Sequence, residues 1–105
     1  MILVTYKAPY ELIVAGHAET DPGEGWSLVC ACTTALVGGL CEAMAQNQDQ
    51  MIKNDICIKN GYGYVLVSPK LSFSEACAKM FEPTIYGLRH LAQNYPEHIR
   101  LYEPV

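Results

Sequence analysis

Short alternating runs and longer helical runs divide this chain. Ile2, Val4 and Tyr6 share one face of a strand while Leu3, Thr5 and Lys7 share the other. Ala8-Pro9-Tyr10 turns the chain, because proline cannot extend a ladder. Glu11 to Gly16 then returns as a second strand, with Leu12 and Val14 on one face and Ile13 and Ala15 on the other. So short a connection predicts an antiparallel hairpin. A polar, acidic stretch follows from Ala18 to Gly25. A helix is expected from Ser27 or Leu28, with Ser27 as N-cap and Val29, Thr33, Leu36, Leu40 and Met44 along one face. Gly38-Gly39 interrupts it at about 1 kcal/mol per glycine relative to alanine, which implies close packing or a local irregularity there.

The second half repeats the scheme. Met51 to Lys59 alternates as a half-exposed strand, with Ile52, Ile56 and Ile58 facing one way and Lys53, Asp55 and Lys59 the other. Asn60-Gly61 is a strong two-residue hairpin signal, and Tyr62 to Val67 is the return strand. Ser72-Phe73-Ser74-Glu75 has capping-box spacing. Phe73, Cys77, Met80, Thr84, Leu88 and Leu91 then recur at helical spacing, with a kink expected before Pro83. Tyr95-Pro96-Glu97 ends the helix, and Ile99 to Tyr102 closes the chain as a short strand. The order is ββαββαβ. It predicts an α+β fold with one mixed, mostly antiparallel sheet and two helices packed on it.

Composition narrows the class. The 105 residues fit one domain spanning 1–105, half of them are apolar, and 17% are charged, which argues for a packed core. The net charge of −4 and seven scattered Lys and Arg argue against nucleic acid as a partner. The five cysteines and the lack of an export-type leader are read as free thiols in a reducing cytoplasm. The apolar run Leu28 to Leu40 reads as too short to span a membrane.

The candidate chemistry lies in the connection between the second strand and the first helix. His17 ends one element and Cys30 begins the other, a layout suited to a thiol nucleophile with an imidazole base. The intervening loop, with Glu19, Asp21, Gly23 and Gly25, is read as a lid or as an ordinary solvated loop. Cys32 is a second thiol nearby, but about 200° around a helix from Cys30, so only one of them can face His17. A metal site from Cys30, Cys32, Cys41 and His17 would lack paired Cys-x-x-Cys spacing, so neither metal nor other cofactor is expected. His90 and His98 read as surface or satisfied histidines. Tyr62, Tyr64, Tyr86 and Tyr95 read as core and sheet residues or as walls of an apolar groove.

Gly16-His17-Ala18, the acidic loop, Val29-Cys30-Ala31 and the later Tyr86-Gly87-Leu88 and Tyr95-Pro96-Glu97-His98-Ile99 together resemble the ribosomal-processing cysteine protease (Prp) family over nearly the whole chain. The resemblance implies a homodimeric cysteine endopeptidase with Cys30 as nucleophile and His17 as base. It implies as substrate a short apolar and aromatic N-terminal extension of a bacterial large-subunit ribosomal protein, or a phage capsid or scaffold protein. The backbone N–H groups of Cys30 and Ala31 are the expected oxyanion donors. The family's acidic residue three positions before the cysteine is replaced here by Ser27. That departure keeps a non-catalytic peptide-binding module of the same fold as the alternative.

Overall fold

A computed structural model describes residues 1–24 and 27–104. Five strands form one sheet: β1 (Ile2–Lys7), β2 (Glu11–Gly16), β3 (Met51–Lys59), β4 (Tyr62–Pro69) and β5 (Ile99–Tyr102). Their spatial order is β3-β4-β2-β1-β5. Three pairings are antiparallel, and β1 pairs β5 in parallel. Helices α1 (Leu28–Gln46) and α2 (Ser74–Asn94) complete the expected ββαββαβ order.

Both helices lie on one face of the sheet, and strand alternation decides which residues they cover. Ile2, Val4, Leu12, Val14, Val65, Val67 and Ile99 point to the helices and are buried. Phe81 of α2 anchors this layer. Its ring is fully buried, stacked on Tyr6 at 6.2 Å between centroids and edge-on to Tyr10 at 6.5 Å. Residues such as Leu3, Ile13 and Tyr64 occupy the opposite, uncovered face.

Several local expectations are corrected. The register of β3 on β4 shifts between Met51 and Lys53, so Ile52 falls on the bulge and is 76% exposed. Ile56 and Ile58 keep the predicted common face. The first helix buries Val37 and Cys41 with Val29, Thr33, Leu40 and Met44, while Leu36 turns toward α2. The capping box is not formed. Leu71–Phe73 is a 3₁₀ turn, α2 starts at Ser74, and the Ser74 hydroxyl donates back to the Leu71 carbonyl at 2.9 Å. The buried stripe of α2 is Cys77, Phe81, Thr84, Ile85, Leu88 and Leu91, and helical conformation continues through Pro83. Helix α1 runs to Gln46, so by length and composition it could cross a membrane. Its buried stripe packs it instead as the core helix of this sheet.

The glycine pair of α1 marks neither tight packing nor an irregularity: a Cβ at Gly38 or Gly39 would meet nothing within 4 Å. The close helix approach is at Gly87 of α2, where a Cβ would stand 2.7 and 2.8 Å from the Leu36 methyls. Gly39→Ala is therefore expected to raise stability in urea unfolding by up to about 1 kcal/mol. Gly87→Ala should show no such gain, because Leu36 must leave its rotamer. Destabilisation by Gly39→Ala would contradict this packing.

Candidate active site

The site forms where three elements end. Antiparallel pairing of β2 with β4 sets Ala15 opposite Tyr62, and the next step is a hydrogen bond from the Gly16 N–H to the Gly61 carbonyl at 2.8 Å. Gly16 has φ +97°, and a Cβ there would run into the Met1 carbonyl. Only glycine fits this corner. It turns the chain out of the sheet and delivers His17 to the tip of the β3–β4 hairpin.

Cys30 arrives from the other side, in the first turn of α1. Ser27 caps the helix: its hydroxyl accepts the Cys30 N–H at 3.2 Å. The Asp21 carboxylate reaches back from the loop and accepts the Leu28 N–H at 3.1 Å. Two of the unpaired N–H groups of the first turn are thus satisfied, one by each side chain. Ser27 performs the cap that an aspartate there would also perform.

His17 and Cys30 line one cavity of about 540 Å³. Its walls include Ile2, Val14, Thr33 and Val37 on the inner side, and Ile58, Tyr62 and Gly63 from the hairpin. Gly38 also lines it, so its missing side chain leaves room beside α1. The Thr33 hydroxyl is buried and unpartnered, the one such side-chain oxygen among the described residues. It lies one turn after Cys30.

The Cys30 thiol is held by the residue next to His17. It accepts the Ala18 N–H at 3.1 Å, and it donates to the Ala18 carbonyl at 3.7 Å. Among the described residues no hydrogen bond joins the sulfur to the imidazole. The N–H groups expected as oxyanion donors are both engaged in this structure. The Cys30 N–H serves the Ser27 cap, and the Ala31 N–H makes the first helical bond, to the Ser27 carbonyl at 3.0 Å. The donor aimed at the sulfur is the Ala18 N–H, which a search for helix-start donors does not find.

The remaining candidates separate clearly. Cys32 packs partly buried against the core and does not line the cavity. Burial pushes the Cys41 and Cys77 thiols up from the ordinary range. Of the lid residues, Asp21 anchors the loop to α1 and Gly23, at φ +77°, makes its turn, while Glu19 is exposed. Gly25 lies outside the described residues. Tyr62 borders the cavity, and the Tyr64 hydroxyl donates to Glu11 at 3.1 Å on the uncovered sheet face. Tyr86 is exposed beneath the Arg89 guanidinium, and Tyr95 packs against the core. Among the described residues no cluster of three His, Cys, Asp or Glu could hold a metal ion.

The family model described as cysteine protease Prp matches residues 1–100. The chain belongs to the Prp cysteine protease family. Solved structures agree on the Prp fold. The essential ribosomal processing protease Prp of S. aureus, in complex with a covalently linked product peptide, is 22% identical with a TM-score of 0.77, covering 99% of this chain and 100% of that one. The same S. aureus protease with a substrate peptide is 18% identical, with a TM-score of 0.71 over 98% of this chain and 97% of that one. SMU.848 of Streptococcus mutans is 24% identical, with a TM-score of 0.69 over 97% and 90%. No curated protein matches the chain significantly.

Two outcomes follow from this geometry. Ser27→Ala should cost about 1 kcal/mol in urea unfolding, whereas Ser27→Asp should keep the cap. Equal stability of the alanine variant and the parent would contradict the cap. In native protein at neutral pH, alkylation and mass mapping should find Cys30 modified while Cys41 and Cys77 react only after denaturation.

Proposed function

We propose that this chain is a cysteine endopeptidase in which Cys30 is the nucleophile and His17 the general base and acid. The observation that carries the reading is that Cys30, in the first turn of α1, and His17 line the same cavity. The helix N-terminus favours negative charge on the sulfur. The Ala18 N–H adds a charge-assisted hydrogen bond to the thiolate.

The reaction runs in two halves. His17 takes the thiol proton, and the Cys30 sulfur attacks the carbonyl carbon of the scissile peptide bond. Collapse of the tetrahedral intermediate breaks the C–N bond, and His17 returns the proton to the departing amine nitrogen. Water then attacks the thioester, giving its proton to His17, and the second product leaves with a free carboxyl group while the thiol is restored. Before the first step the substrate must displace the Ala18 carbonyl from the sulfur, which makes residues 18–24 a lid in this reading.

The apolar walls, Ile2, Val14, Val37, Ile58 and Tyr62, suit an apolar and aromatic peptide segment. We assign as substrate the N-terminal extension of a bacterial large-subunit ribosomal protein or a phage capsid or scaffold protein, cut in the cytoplasm by a homodimer. The S. aureus relative's role as a ribosomal processing protease supports the first choice.

One observation favours a second reading. The thiol is engaged by Ala18, and no hydrogen bond links it to the imidazole among the described residues. A peptide-binding module that does not cut would also look so. Incubation with extension peptides separates the two. Cys30→Ala and His17→Ala should bind peptide yet lower kcat by on the order of 10³-fold or more, while Cys32→Ala cuts normally. Binding without cutting by the parent chain would select the second reading, and full cutting by Cys30→Ala would remove the first.

A further inference from the structure

A catalytic imidazole needs an orienting partner, commonly a third group that hydrogen-bonds its far nitrogen. Among the described residues, neither ring nitrogen of His17 has a hydrogen-bond partner, and the side chain is exposed. The nearby acids do not fill this role. Asp21 is committed to the Leu28 N–H, and neither Glu19 nor Glu24 bonds the ring. The other titratable groups around the cavity are Cys30, Lys59 and Tyr62, and the Met1 amine bonds the His17 carbonyl rather than its ring.

Packing does touch the ring. A Cβ built on Gly61 would stand 2.5 Å from Nε2, 3.1 Å from Cδ2 and 3.2 Å from Cε1 of His17. The imidazole therefore fills the space that a side chain at Gly61 would need, at the tip of the β3–β4 hairpin. The two are also tied through the backbone, because the Gly61 carbonyl accepts the N–H of Gly16, the residue before His17. Gly61 has φ +76°, so the turn alone explains a glycine here. The contact with the ring is a separate requirement.

We infer that Gly61 is a positioning residue: it seats the His17 imidazole at the cavity mouth by packing, in place of an orienting acid. The assignment rests on the catalytic role of His17 given above. The seat lies in the cavity wall, which Gly61 lines together with His17. Any side chain at position 61 would displace the ring.

Gly23 supplies a control matched in backbone strain. Its φ is +77°, and a Cβ there would meet nothing within 4 Å. Gly23→Ala and Gly61→Ala should lose similar stability, and Gly61→Ala should in addition move the NMR signals of the His17 ring protons. Gly61→Ala should also slow Cys30 alkylation at neutral pH and lower kcat, each by about tenfold or more, with KM little changed. The parent protein should show nuclear Overhauser contacts between the His17 ring protons and the Gly61 α-protons. This measurement decides the matter if Gly61→Ala does not fold. Missing contacts in the parent overturn the seat, as does a Gly61→Ala variant with unchanged His17 ring signals and unchanged alkylation. If the ring contacts and the alkylation effect are present but the parent cuts no peptide, the seat stands and the protease reading falls.

Discussion

The register of β2 on β4 is the constraint from which the site follows. It places Gly16 opposite the hairpin tip, where its N–H meets the Gly61 carbonyl at 2.8 Å. A slip of one residue would invert every side chain of β2, exposing Leu12 and Val14 and carrying His17 away from the tip. The buried face of β2 therefore protects the register, and the register sets the imidazole. Stability and chemistry share one pairing, although the groups involved lie on opposite sides of the Gly16 corner.

The second fixed point is the first turn of α1. Its N–H groups are claimed by Asp21, by the Ser27 hydroxyl and by the Ser27 carbonyl. These bonds hold the helix start rigid under Cys30. The Cys30 and Ala31 N–H groups are among those so engaged. The sulfur instead faces the backbone of Ala18, which offers both a donor and an acceptor. The donor favours the thiolate and the carbonyl favours the thiol.

Much of the architecture is legible in the alternation of side chains. Asn60-Gly61 marks the hairpin, Ser27 marks the helix start, and Ile2, Val4, Leu12 and Val14 mark the face that the helices cover. Periodicity misses events that add or remove a residue. The bulge that turns Ile52 outward has no signature in an alternating run, and the 3₁₀ turn at Leu71–Phe73 takes the residues of an apparent capping box. Helix phase also drifts over a long element, so Phe81 and Ile85 emerge as core where Phe73 and Met80 fit the pattern equally well. At the site, His17 and Cys30 stand out as residue types, and the fold brings both to one cavity. The other participants are concealed for a plain reason. Gly61 carries no functional group, and Ala18 acts through its backbone. Nothing in a side-chain pattern reports either one.

Membership of the Prp family makes the cysteine protease chemistry the natural frame for this cavity. The central claim is that Cys30 and His17 act on one carbonyl. The most direct measurement is a crystal structure after reaction with a peptide aldehyde whose side chains are apolar and aromatic. The account predicts a thiohemiacetal on Cys30, the Ala18 carbonyl displaced from the sulfur, and an imidazole nitrogen of His17 within hydrogen-bond distance of the new oxygen or the sulfur. An adduct on another cysteine, or a Cys30 adduct with the imidazole turned out of reach, would contradict it.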